Sequence, residues 1–203
     1  MLSSTNLAQG VSMQSIFISK KSFCLSLIFL SIFINLPALA QSYIEVDYSK
    51  VGITSSASSL GELKTNPSLL SLIVGQELNA NLDVEGLLAT GIQKSDTTLN
   101  GATQTTPVST SINNYYGVFA KPKMKFNESV ELFSRVGYVY GKTSGSTSTN
   151  SISASSGNWA YALGLNYSIS PTTFLSGSYQ QSAEKNNVKS NALSIGVGFR
   201  LGK

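Results

Sequence analysis

One pattern limits this chain more than any other: short runs in which apolar and polar residues alternate strictly, joined by connections that are alternately tight and long. Ile44, Val46 and Tyr48 alternate with Glu45, Asp47 and Ser49. Leu82, Val84, Gly86 and Leu88 alternate with Asp83, Glu85, Leu87 and Ala89; Val118, Ala120, Pro122, Met124 and Phe126 with Gly117, Phe119, Lys121, Lys123 and Lys125. Val130, Leu132, Val136, Tyr138 and Tyr140 share one parity, and Glu131, Phe133, Arg135 and Gly137 the other. The same zigzag runs from Asn158 to Ile169 and from Ala192 to Leu201. A period of two is the signature of β-strands with chemically different faces. Two weaker segments, about 69–78 and 172–181, bring the expected total to eight; Leu69 and Ile73 blur the parity of the first.

The connections set the expected topology. Asn79-Ala80-Asn81, Asn127-Glu128 and Ser170-Pro171 are tight, whereas 53–68, 92–111, 142–156 and 182–190 are long and rich in Ser, Thr, Asn and Gly. Tight turns at one end and long polar loops at the other, with an even strand number, are the plan of an up-and-down transmembrane barrel of the bacterial outer membrane. A soluble sandwich or lipocalin-like barrel would share the periodicity with its apolar parity turned inward. Three features favour the membrane. The apolar parity is bulky and nearly free of charge, while the opposite parity mixes Gly, Ala, Ser and Asn with ions and is unsuited to a dry core. Tyr43, Phe126, Tyr138, Tyr140, Trp159, Tyr161, Tyr167 and Phe199 gather near segment ends, as interfacial girdles do.

The first forty residues read as an address. Lys20 and Lys21 precede the uncharged run from Ser22 to Leu36, and Pro37-Ala38-Leu39-Ala40 follows it. A basic stretch, an apolar stretch and an A-x-A site make a secretory signal peptide, with cleavage expected before Gln41. An uncleaved anchor is the alternative, although the run is short for a spanning helix. Met13 offers a tidier start than Met1. Cys24, the one cysteine, lies at the front of the apolar run and would leave with the signal, so residues 41–203 must close their fold without a disulfide.

Composition removes most other activities. The chain has no histidine, which excludes Ser-His-Asp and Cys-His catalysis and His-ligated zinc. A net charge of +4, dispersed along the sequence, is no footprint for nucleic acid. No phosphate-binding loop or metal-ligand cluster stands out, so no cofactor is expected. The pairs Glu45/Asp47 and Glu77/Glu85 could in principle act as acid and base. Carboxylates so spaced are ordinary in a polar lumen, and no enzyme is expected.

With the apolar parity facing lipid, the lumen receives Glu45, Asp47, Glu77, Glu85 and Glu131 against Lys121, Lys123, Arg135 and Arg200, mostly in the periplasmic half of the wall. Eight strands leave an interior that side chains can fill, and charges there must pair. Arg135, able to grip carboxylates with two parallel bonds, is expected to bridge Glu85 and either Glu131 or Asp47, with Lys121 and Lys123 completing the network. Polar packing that plugs the barrel is the expected role; a selectivity filter or proton path is the alternative.

Three stretches carry a family resemblance: Gly75-Gln76-Glu77-Leu78-Asn79-Ala80-Asn81-Leu82-Asp83-Val84-Glu85-Gly86, Val130-Glu131-Leu132-Phe133-Ser134-Arg135-Val136-Gly137-Tyr138 and Leu193-Ser194-Ile195-Gly196-Val197-Gly198-Phe199-Arg200-Leu201. They look like the tight hairpin, central Arg strand and closing strand of small OmpA/OmpX-type barrels, and residues 42–203 as a whole resemble the outer-membrane β-barrel domain family. The resemblance implies an outer-membrane location, contact with lipid and lipopolysaccharide, and insertion by the barrel-assembly machinery. That machinery reads a terminal aromatic, for which Phe199 stands here ahead of Arg200-Leu201-Gly202-Lys203. The expected role is structural and surface-interacting, with host or other surface ligands meeting loops 92–111 and 142–156. A small passive pore is the competing role. The chain ends at Lys203, so no peptidoglycan-binding domain is expected after the barrel.

Overall fold

A computed structural model describes residues 41–57, 61–100, 102–103, 108–146, 151–185 and 187–202. The expected signal peptide over 1–40, Cys24 included, lies outside the described residues. Eight long strands form the wall: β1 (Ser42–Ala57), β2 (Ser68–Asn79), β3 (Leu82–Gln93), β4 (Ser109–Lys125), β5 (Val130–Ser146), β6 (Ser151–Ser168), β7 (Thr173–Lys185) and β8 (Val188–Leu201). Each pairs antiparallel with its sequence neighbours, and β1 closes on β8 from Ser42↔Leu201 to Ser55↔Val188. Closure leaves the wall no open edge, so its backbone is satisfied by its own ladder without a disulfide.

Each tight turn is set by one polar side chain. Asn79 Oδ1 accepts from the Asn81 amide at 2.9 Å. Asn127 Oδ1 accepts from the amides of Ser129 and Val130 at 2.9 and 2.7 Å. Ser170 Oγ accepts from those of Thr172 and Thr173 at 3.2 and 3.0 Å. Such side-chain turns redirect the chain within a few residues, which fixes the register of both flanking strands.

The bulky parity faces out. Leu88, Leu163, Leu193 and Ile195 are each more than 60% exposed. Aromatics ring both ends of this surface. Phe126, Tyr167 and Phe199 lie toward the tight turns; Tyr116, Tyr138, Tyr140 and Trp159 lie toward the other end, with Tyr138 and Trp159 edge to face at 5.9 Å. At about 3.3 Å per residue and a tilt of about 40°, the span from Trp159 to Tyr167 is roughly 20 Å tall, close to the apolar band of a transmembrane barrel. Tyr43 departs from the expected girdle. It sits on the inward parity of β1, 6% exposed, because parity and not residue type decides the face.

Inside, large rings lie over glycines of the adjoining strand. A Cβ on Gly75 would fall 2.1 Å from the Tyr43 ring, one on Gly164 2.4 Å from Phe133, and one on Gly198 2.0 Å from Phe174. These glycines let aromatic side chains lie flat against the wall of a narrow cylinder. Gly198→Val is therefore expected to destabilise by about 1–3 kcal/mol, the usual cost of overpacking, as a lower urea midpoint of the folded barrel. Gly177→Val is the control, since nothing lies within 4 Å of its Cβ position; equal losses at both sites would contradict this packing.

The long connections are more regular than the sequence suggests. β5 and β6 stay paired out to Ser146↔Ser151, so most of 142–156 is hairpin rather than loop. β7 and β8 likewise reach Lys185 and Val188, with Asn187 at φ 59 in the turn between them. Within 92–111, Ser95–Asp96 pairs with β4, and Thr98–Leu99 pairs with Gly61–Thr65.

Candidate functional site: a charged plug beneath an open cavity

The inward charges occupy two tiers at the tight-turn end. Nearest the turns, Lys123 Nζ bridges Glu77 at 3.0 Å and Asp83 at 2.8 Å. Arg200 stacks its guanidinium on Phe174 at 4.9 Å and donates to Ser168 Oγ at 3.1 Å, and so takes no part in that bridge. Glu131 accepts from Asn166 Nδ2 at 2.9 Å.

The second tier is buried. Arg135 holds Glu85 through two parallel bonds, Nε to Oε2 at 2.5 Å and Nη2 to Oε1 at 3.1 Å, and reaches Glu45 at 3.0 Å. Lys121 Nζ lies 3.1 Å from Glu85 and donates to the Tyr43 hydroxyl at 3.0 Å; that hydroxyl in turn donates to Glu85. Both cations also lie over the Phe133 ring, at 4.4 Å for Lys121 and 4.6 Å for Arg135. Glu45, Glu85, Lys121 and Arg135 are all at most 4% exposed. Desolvated charges in such a tier need mutual compensation, and a planar guanidinium shared by two carboxylates supplies it with fixed geometry.

The structure thus brings Arg135 to Glu85 and Glu45, not to Glu131 or Asp47. The strands are staggered, so residues equally far from a turn in sequence do not share a height. Two members escaped the list of charges drawn from the sequence. Asp83 was legible, since it alternates with Leu82 and Val84. Tyr43 has the same signal but carries the chemistry of a girdle residue.

Above this tier the lumen changes character. Between Glu77, Asp83 and Arg200 the free volume is about 20 Å³, whereas beyond Arg135 a cavity of about 650 Å³ runs up to Ser155 and Val188 at the far rim. Val51, Leu69, Ile73, Leu87 and Ile112 line one wall, on β1 to β4; Ser178, Gln180, Ser182, Ser190 and Ser194 line the other, on β7 and β8. The inner half is a plug, and the outer half a vestibule.

A closed eight-stranded barrel, greasy outside and ionic within, with short turns at one end and long hairpins at the other, is an integral protein of the bacterial outer membrane. The model of the outer membrane protein beta-barrel domain matches residues 25–200, and the chain belongs to that family. Over 88 residues it is 32% identical to the attachment invasion locus protein of Yersinia enterocolitica, covering 43% of this chain and 49% of that protein. The chain therefore spans about half the length of the curated relative it matches. The crystal structure of Ail, the attachment invasion locus protein of Yersinia pestis, superposes with a TM-score of 0.56 at 24% identity, over 80% of this chain and 99% of that one. Neisserial surface protein A does so with a TM-score of 0.59 at 17% identity, over 79% and 97%. At these identities the two structures speak for the fold alone.

Proposed function

We propose that this barrel is a surface-contact protein, which presents its outer hairpins to host or other surfaces while its lumen stays shut to ions. The carrying observation is the continuation of β5 and β6 past the Tyr138–Trp159 girdle to Ser146↔Ser151. At about 3.3 Å per residue this is roughly 26 Å of paired strand beyond the membrane edge. The projecting face is a ladder of hydroxyls, with Ser144 Oγ and Ser153 Oγ 2.8 Å apart and Ile152 76% exposed near the tip. A hairpin so ordered loses little entropy on binding. The 32% identity to a protein named for attachment supports the same reading. The chain would reach its place through a signal peptide over 1–40, be read by the assembly machinery at the outward-facing Phe199, and rest among lipid and lipopolysaccharide.

Expression in a non-adherent laboratory bacterium tests this. Attachment to cultured epithelial cells should rise, and should return to background when 143–154 is replaced by a two-residue turn while the barrel still shows heat-modifiable migration. Unchanged attachment after trimming would contradict the role of this hairpin. The competing role, a passive pore, is opposed by the 20 Å³ of space beneath Arg135, about one water's worth. Planar bilayers should show no steady channels; open ones would overturn the closed lumen.

A further inference from the structure

The floor of the outer cavity carries a carboxyl group that no cation of the plug pairs. Glu45, Asp47 and Glu85 meet Arg135 and Lys121 there, three acids against two bases. Arg135 is engaged by Glu45 and Glu85, and Lys121 by Glu85. Asp47, 3% exposed, makes no ion pair among the described residues. Its Oδ1 and the neighbouring Glu45 Oε1 accept no hydrogen bond. Asp47 and Arg135 are the charged residues among those that border the cavity, and of the two only Arg135 has an ion partner among the described residues.

Above the floor stands a wall made for apolar matter. Val51, Leu69 and Ile112 pack into one cluster, and Ile73, Leu87 and Val139 into a second. The hydroxyls of β7 and β8 line the same space. A volume of about 650 Å³ is in the range of cavities that take small organic ligands. A buried carboxylate without a counterion is costly and takes up a proton instead, and a cation delivered by a ligand would stand in that proton's place.

We propose that the outer half of the lumen binds an organic cation with a compact apolar body: its ammonium meets Asp47, and its body lies against the wall of Val51, Leu69 and Ile112. Neither the charged plug nor attachment through the hairpins requires this site, so its failure would leave the surface-contact reading untouched.

The test uses the full barrel in lipid nanodiscs and three probes that share one cage: 1-adamantylammonium, 1-adamantanol and 1-adamantanecarboxylate. Amide and methyl resonances of Val51, Leu69 and Ile112 report occupancy. The ammonium should bind about tenfold more tightly than the alcohol, the margin of a charge-assisted bond, and the carboxylate not at all. Asp47→Asn should erase the preference for ammonium over alcohol, and Ile112→Trp, which fills the cavity, should weaken both. Equal shifts from ammonium and alcohol in the unaltered barrel would overturn the proposal, as would shifts that survive Ile112→Trp, since both mean partition into lipid. If Asp47→Asn fails to fold, the ranking of the three probes on the unaltered barrel still decides.

Discussion

Arg135→Met should lower the stability of the folded barrel by about 3–5 kcal/mol, the loss seen when one partner of a buried ion pair is removed and the other is stranded. Among the described residues Arg135 is the one group that touches both Glu45 and Glu85, at 3.0 Å and 2.5 Å, and Met keeps its length while deleting every donor. Lys121 would still compensate Glu85, so Glu45 bears most of the exposed cost. Adding Glu45→Gln to Arg135→Met should therefore recover part of the loss, which a double-mutant cycle on urea unfolding in phospholipid vesicles would measure. An unfolding midpoint that does not move on Arg135→Met would mean that the tier is a passive filler.

A second large effect is expected at the opposite face, with a sign that separates two kinds of barrel. Leu163 lies midway between Trp159 and Tyr167 on β6, points outward and is 71% exposed. In a water-soluble barrel, Leu163→Arg would remove an exposed apolar side chain and cost next to nothing. In a bilayer it places a charge near the midplane, for about 2–4 kcal/mol. The same substitution at Tyr167, in the lower girdle, should cost about 0–1 kcal/mol because the charge reaches the interface. A loss at Leu163 no larger than at Tyr167 would contradict a lipid-facing wall.

How much of this could be read beforehand follows from what a period of two can carry. Alternation gave the face of nearly every residue in the membrane band, including Glu85 inward and Leu163 outward, because lipid and lumen demand opposite chemistries. Beyond the membrane both faces meet water, so 142–156 is Ser and Thr on either parity and its strand character leaves no hydrophobic trace. Leu69 and Ile73 blurred the second strand for a related reason: they face the cavity, where the lumen is apolar on one side. The partner of Arg135 was only half legible. Which carboxylate shares its height depends on the stagger of eight strands around the cylinder, a property of closure that no single segment encodes.

The facing of the wall is tested most directly by the fluorescence of Trp159, the sole tryptophan, which is 61% exposed on the outer surface at the upper girdle. With the barrel reconstituted in phospholipid vesicles, its emission should be blue-shifted and resistant to aqueous acrylamide. Lipids brominated high on the acyl chain should quench it more strongly than lipids brominated near the tail. Emission near that of free indole in water, quenched by acrylamide and indifferent to brominated lipid, would show that the apolar half of each strand does not meet the bilayer.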